Sequence, residues 1–360
     1  MERILDVVII GAGISGLTAA KVLSDAGVSF QVLEASSRIG GRVHALRDPA
    51  NGQTLADLGP SWVWPKYQPV VSKWIETLDA ETFEQFNKGE AVIQGYGAEP
   101  LRQPLPGQDG IVRIVGGPTA LVDALAKSID PANIQTSAPV VGLDSDDAGG
   151  VCASLGTGEI ISARKAIVSI PLRNAAETLK MPWANAGLIT AMQNTPTWMS
   201  TQAKAVMLYD EPFWRDLGLS GRIASRTGPL VEAHDHSGID GKPAAIFGFV
   251  GWPAEARRRN PDRLREGILE QLSQCFGAAA PEPNQLIMED WATNPSIVSK
   301  LDMKRPPDHP DIGPGVLRQS HLDGRVWFAV SETSLVSPGL IAGAFAAGER
   351  AARDIISDKA

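Results

Sequence analysis

The sequence is poor in the features that mark a disulfide-stapled, metal-bound or membrane-spanning chain. Its 360 residues hold two cysteines, Cys152 and Cys275, and no CxxC pair, which argues against a disulfide framework and a structural zinc site. The five histidines form no ligand pair at helical spacing, and His234 and His236, alternating within a polar stretch, are expected in a loop. No metal site is expected. No stretch approaches the ~20 apolar residues of a membrane span, and the first apolar run, Val7 to Ile10, is too short for a secretory core. The expectation is a cytoplasmic protein without a membrane partner. A basic face is lacking as well: 33 Lys and Arg against 41 Asp and Glu leave a formal net charge of −8, which excludes nucleic acid as the natural partner.

What is present belongs to a soluble globular chain long enough for two domains, 43% hydrophobic and 21% charged. Leu5 to Ile10 is a nearly continuous apolar run, as in a parallel strand buried on both faces. The loop Gly11-Ala12-Gly13-Ile14-Ser15-Gly16 follows at once, and then a helix-forming stretch from Leu17. Gly11 permits the tight turn, Gly13 lets backbone approach a pyrophosphate, and Gly16 lets helix pack on strand. The helix start offers free N–H groups and the positive dipole end to phosphates. Glu34 ends a second strand, placed to accept hydrogen bonds from ribose hydroxyls. These residues predict a dinucleotide-binding fold without deciding which dinucleotide. No second glycine loop of this kind is visible for NAD(P)H.

The segment Glu34-Ala35-Ser36-Ser37-Arg38-Ile39-Gly40-Gly41-Arg42 makes that decision. It resembles the stretch after the second strand in the FAD-binding family of flavin-containing monoamine oxidases, phytoene desaturases and protoporphyrinogen oxidases. Paired glycines let the backbone touch a cofactor, and Arg42 offers a planar cation to its phosphates. A second match is Arg325 to Val330, then Ser331-Glu332-Thr333-Ser334 and the small-residue helix from Gly339 to Ala352, which resembles the family's C-terminal flavin-binding signature. Asp57-Leu58-Gly59-Pro60-Ser61-Trp62 is similar to the family's turn beside the flavin, and Gly116-Gly117-Pro118 to the start of a family helix leading to a strand over 134–141. The resemblance implies noncovalent FAD, since no cysteine lies over 295–320, held by Gly11, Gly13, Ser15, Gly16, Glu34, Ala35, Arg38, Gly41, Arg42, Gly59, Ser61, Trp62, Val140, Glu332 and Leu340. It also implies an α/β fold. A discontinuous Rossmann-like FAD domain with a parallel sheet (1–75, 113–188 and 308–360) would carry an α+β substrate domain on a mixed sheet (76–112 and 189–307).

Gln202 to Trp214 resembles the family segment that carries a catalytic lysine and then Glu-Pro-Phe-Trp, which assigns that role to Lys204. Strand alternation puts Lys204 on one face with Val206 and Leu208 without saying which face is buried, so a flavin-facing lysine and a solvent-facing edge lysine both stand. Trp64, Trp291 and Leu340 are the candidate substrate-pocket residues. Leu340 occupies the place of a cage aromatic, the family's long helical insertion is mostly missing, and the stretch 89–110 is turn-rich. The site is therefore open or closed by another subunit, as in a homodimer. The implied reaction is oxidation of a small amine to an imine, with hydride passing to flavin N5 and O2 reoxidation giving H2O2. A desaturase or dihydronicotinamide (renalase-like) oxidase and a non-catalytic FAD-binding accessory protein are the alternatives.

Overall fold

The computed structural model describes residues 5–146, 148–305 and 308–358. Two seven-stranded sheets organise it. The first runs, in spatial order, Val140–Ser145, Val151–Leu155, Ile160–Val168, Leu5–Ile10, Phe30–Leu33 and Ile134–Gln135, with Val326–Phe328 also paired to Ile160–Val168. Leu5–Ile10 lies parallel to both of its neighbours, in register Ile9↔Ile167 and Ile9↔Val32. Alternate residues of this strand enter different cores. Val7 and Ile9 pack with Leu17, Leu23, Phe345 and Ile355 of the helices Ile14–Asp25 and Ile341–Ser357, whereas Val8 and Ile10 pack with Leu143, Leu172 and Met192 on the other face. Burial on both faces is why the strand reads as an unbroken apolar run.

The two helices on the first face cross at glycine. A Cβ on Gly348 would fall inside contact distance of the Ser15 carbonyl oxygen and 2.9 Å from the Thr18 Cβ, and one on Gly16 would strike the Gly11 carbonyl. The Ser15 hydroxyl donates to the Ala344 carbonyl at 2.7 Å. Both helix N-termini are thereby brought to the same edge of the sheet.

The second sheet runs Gln285–Asp290, Ala203–Tyr209, Ala244–Val250, Leu230–Asp235, Leu219–Ser225, Glu90–Gln94 and Leu101–Gln103. It is mixed, because Glu90–Gln94 joins Leu219–Ser225 in parallel while its other pairings are antiparallel. The helix Pro261–Phe276 starts with proline in its first turn, stops at Gly277 (φ 101°), and lays Leu264, Ile268 and Leu272 on one face of this sheet, against Ala205 and Met207. The opposite face, with Val206, Leu208 and Phe247, packs on Ala56 and Leu58.

Three sequence expectations change here. The strand expected over 134–141 is two short strands, because Ser137 takes a left-handed conformation (φ 55°) and Pro139 lacks a ladder donor. The stretch 89–110 is more than turns, since its hairpin Glu90–Gln94/Leu101–Gln103 extends the second sheet to its edge. His234 is not a loop residue, since it lies inside the strand Leu230–Asp235, whereas His236 follows the end of that strand, and both rings are buried. No helix among the described residues is long and apolar enough to cross a membrane.

The helix crossing has a direct consequence. Gly348→Ala adds a methyl where the Ser15 carbonyl already sits, so we expect a loss of about 1–3 kcal/mol, read as a lower thermal midpoint in scanning calorimetry with the far-UV spectrum unchanged.

Candidate FAD and active site

A cavity of about 830 Å³ runs between the two sheets. Its walls bring together nearly all the residues singled out from sequence: Gly11, Gly13 and Ser15 of the first loop, then Glu34, Ala35, Arg38, Gly41 and Arg42. Gly59, Ser61, Trp62, Trp64, Val140, Lys204, Trp291 and Leu340 complete that set. Gly16 and Glu332 stand behind the wall. Gly16 serves helix packing, and Glu332 is buried beneath Arg42.

At one end, Glu34 organises the backbone. Its Oε2 accepts from the Ala12 N–H at 2.8 Å, and its Oε1 accepts from the Ser36 N–H at 2.9 Å and the Ser36 hydroxyl at 2.5 Å. Three of about four acceptor positions on the carboxylate are used, leaving one on Oε2. The Gly40 N–H donates to the Ala12 carbonyl at 2.8 Å, which lays the Gly40-Gly41 turn against the first loop. Gly40 (φ 102°) and Gly41 (φ 58°) hold backbone angles that side chains resist. Gly13 caps the first helix with φ −73°, and a Cβ there would meet nothing within 4 Å.

The two arginines of this region line the cavity and are held by protein partners. Arg42, expected to face phosphate, grips Glu332 with both terminal nitrogens (2.6 and 2.9 Å) and donates to the Trp198 carbonyl at 3.1 Å. A buried carboxylate is the stronger claim on that guanidinium. Arg38 folds back on the same turn, donating to the carbonyls of Gly41 (2.9 Å) and Val43 (3.2 Å).

At the other end lies Lys204, in the strand between Ala244–Val250 and Gln285–Asp290 and therefore not at an edge. It is 3% exposed. Its Nζ donates to the Gly59 carbonyl at 2.9 Å and the Ser61 hydroxyl at 2.7 Å, and stands 4.1 Å from the centre of the Phe247 ring. Burial lowers the ammonium pKa to about 7; Asp57 works against that and Arg113 adds to it. Aromatic side chains enclose this end. Trp62 meets the ring of Phe247 at 5.3 Å and of Trp64 at 6.5 Å, and its indole donates to the Gln85 amide oxygen at 2.8 Å. Trp291 donates to the Leu58 carbonyl at 3.3 Å.

Comparison with known proteins places this arrangement. The sequence model of flavin containing amine oxidoreductases matches residues 14–104 and 96–356. The chain belongs to the flavin-containing amine oxidoreductase family. Among curated relatives, a probable flavin-containing monoamine oxidase A of Dictyostelium discoideum is 22% identical, covering 99% of this chain and 98% of its own. The flavin-containing amine oxidase B of Rattus norvegicus is 24% identical over 99% of this chain and 87% of its own. The Dictyostelium alignment runs over 461 positions against a chain of 360, the excess lying opposite gaps in this sequence. Similar folds among solved structures include cyclohexylamine oxidase from Brevibacterium oxydans IH-35A (TM-score 0.84, 20% identity, 99% of this chain and 100% of that one). Putrescine oxidase bound to putrescine is another, with TM-score 0.80 at 19% identity over 99% of each chain.

This family member is thus an FAD-dependent oxidoreductase. The residues present fit that cofactor. A glycine cradle open to the cavity, two helix N-termini at its edge and an acid at the second strand end suit the pyrophosphate and adenosine, and the cavity continues to Lys204.

Several wall residues were not legible beforehand. Phe247, Phe249, Trp198 and His309 line the cavity, Trp198 and His309 with ring centres 4.8 Å apart, yet in sequence each is one apolar or polar residue among many. A cluster of buried charges behind Lys204 was missed too. The run His234, Asp235, His236 at the end of the strand Leu230–Asp235 was its signal, because buried polar residues need partners.

Two outcomes follow for the site. Gly13→Val should keep the fold, since φ −73° suits valine, and weaken FAD binding at least tenfold by filling the cradle, as read by flavin-fluorescence titration of the apoprotein. For Lys204, the folded-state pKa of about 7 lies below the ordinary value of about 10.4. The unfolded chain therefore binds more protons between those limits, and stability rises with pH there. Relative to Lys204→Met, wild-type protein should gain urea resistance from pH 7 to 10; a flat difference contradicts the depressed pKa.

Proposed function

We propose that this protein oxidises a small amine with noncovalent FAD and returns the electrons to O2. The observation that carries this reading is Lys204: a buried lysine, its pKa lowered by burial, on the wall of a cavity that Trp62, Trp64 and Trp291 also line. The bound flavin supplies the two-electron acceptor. The chain's own residues do the rest. Trp62, Trp64, Trp291 and Leu340 offer an apolar wall that excludes water and favours a neutral amine over an ammonium ion. Lys204, held by Gly59 and Ser61, orients water and presents a positive charge to the anion that forms as O2 is reduced.

The cofactor-binding roles of the loop residues and of Glu34, Ala35, Arg38, Gly41, Val140 and Leu340 belong to the same proposal, supported by their meeting in one cavity. So does the division into an FAD part (1–75, 113–188 and 308–360) and a substrate part (76–112 and 189–307), which agrees with membership of the two sheets. Noncovalent attachment is supported by the positions of Cys152 and Cys275, neither of which lines the cavity. Acid precipitation should therefore release all the flavin into the supernatant.

The decisive measurement is anaerobic bleaching of the flavin absorbance with a panel of primary amines, cyclohexylamine and putrescine included, alongside dihydronicotinamides. Bleaching by at least one amine is expected. Bleaching by a dihydronicotinamide alone would replace amine oxidation with the nicotinamide reading, and bleaching by nothing would favour an accessory protein. Lys204→Met should bleach with the same amine and reoxidise in air at least tenfold more slowly in stopped flow.

A further inference from the structure

Behind Lys204 lies a set of buried charges that the reaction outlined above does not use. Asp57 is fully buried, and neither of its carboxylate oxygens has a hydrogen-bond partner of standard geometry among the described residues. Its neighbours are Arg113 Nη2 at 4.0 Å, His236 Nε2 at 3.3 Å and the Ser61 hydroxyl, the same hydroxyl that accepts from Lys204. Gly117 takes φ 73° and has no room for a Cβ, because Asp57 Oδ1 fills that place. Arg113 is anchored separately. Its Nη1 donates to the Ser237 carbonyl at 2.6 Å and its guanidinium lies 5.1 Å from the Phe83 ring centre.

The histidines do not share the charge. His236 Nε2 accepts the Asp57 backbone N–H at 2.9 Å, so its lone pair is committed and its proton belongs on Nδ1. Burial also holds its pKa well below the usual range. His234 lies between the Gln108 amide (2.7 Å) and Glu232 (2.8 Å), and burial lowers its pKa as well. On the neighbouring strand Glu289 stands in register with Lys204 but is paired to His44 at 3.0 Å. Asp235 is engaged by Arg215 at 2.8 and 3.1 Å and by the Trp214 indole at 2.8 Å. Asp57 is therefore the carboxylate that Arg113 and Lys204 share, while Asp235, hydrogen-bonded elsewhere, still acts on Arg113. Arginine does not give up its proton in a protein, so the lysine is the member that does.

We propose that Arg113 is a positioning residue for Lys204: standing beside the buried Asp57 carboxylate, it draws on the same counter-charge and leaves the buried ammonium at the flavin cavity only partly compensated. This rests on the reading of Lys204 as the flavin-side lysine, and it assigns Asp57 and Arg113 opposite effects. Removing Arg113 frees Asp57 for Lys204 and favours the ammonium. Removing the Asp57 charge strands both cations and favours the neutral amine.

The test follows the lysine itself. Holoprotein labelled at lysine 13Cε is titrated by NMR, with the Lys204 signal identified by its loss in Lys204→Met. Arg113→Met should raise the Lys204 midpoint by about one unit or more, Asp57→Asn should lower it, and Arg113→Lys should leave it near the wild-type value. The pH at half-maximal O2 reoxidation of photoreduced enzyme should move in the same directions. Opposite shifts cannot come from a merely structural role. A Lys204 midpoint that stays put in Arg113→Met and Asp57→Asn overturns the proposal, and if Arg113→Met does not fold, an unmoved midpoint in Asp57→Asn alone does so. Photoreduction needs no amine, so failure of the amine reading and failure of this one are seen separately.

Discussion

The peptide unit of Ala12 is the point on which the cofactor end of this protein depends. Its N–H is taken by Glu34 and its carbonyl by the Gly40 N–H, both at 2.8 Å, while its side chain is buried in the core. Two chain segments, the loop after Leu5–Ile10 and the stretch from Glu34 to Gly40 after Phe30–Leu33, are locked together through one residue. An unmade hydrogen bond at a buried peptide costs about 1–3 kcal/mol, so the loop, the acid and the Gly-Gly turn hold their places together. The first helix then has a fixed N-terminus, and the C-terminal helix is set against it through Gly348 and the Ser15 hydroxyl.

The second sheet supplies what the first lacks. A Rossmann-like sheet presents glycine backbone and helix ends, which hold phosphate, but few side chains able to exchange a proton. The strand Ala203–Tyr209 brings one across. Both faces of this strand are buried, one against the helix Pro261–Phe276 and one against the Asp57 turn, and a lysine on the second face is removed from water. Desolvation of an ammonium ion is costly, and the site offsets it with a carbonyl, a hydroxyl and an aromatic ring while withholding a full counter-charge. That balance lets the same side chain carry a proton in one state and lack it in the other.

Much of the cofactor end was legible in sequence because its physics is local. A glycine loop, a strand-end acid and a Gly-Gly turn each state their backbone requirement within a few residues, and the cavity gathers them as expected. Arg42 shows where such reading stops. The family resemblance assigned it a phosphate, and what the segment could not show is that Glu332, 290 positions away, binds both of its terminal nitrogens. His234 and His236 make the same point from the other side. Their alternation looked polar enough for a loop, and only the packed sheet shows both rings buried, His234 held by Gln108 and Glu232 and His236 accepting from the Asp57 backbone.

The sequence by itself determined a dinucleotide-binding α/β fold, because glycine conformations, helix ends and strand periodicity are properties of short segments, and its resemblance to a known family supplied FAD as the cofactor and Lys204 as the candidate lysine. The tertiary structure decided which face of the lysine strand is buried, what Arg42 grips, and that Asp57, Arg113 and Lys204 share one enclosure. Those are questions of charge and solvent access between segments more than fifty residues apart. Alternation along a strand says which side chains lie together, but only the sheet or turn packed against them says whether water is there too.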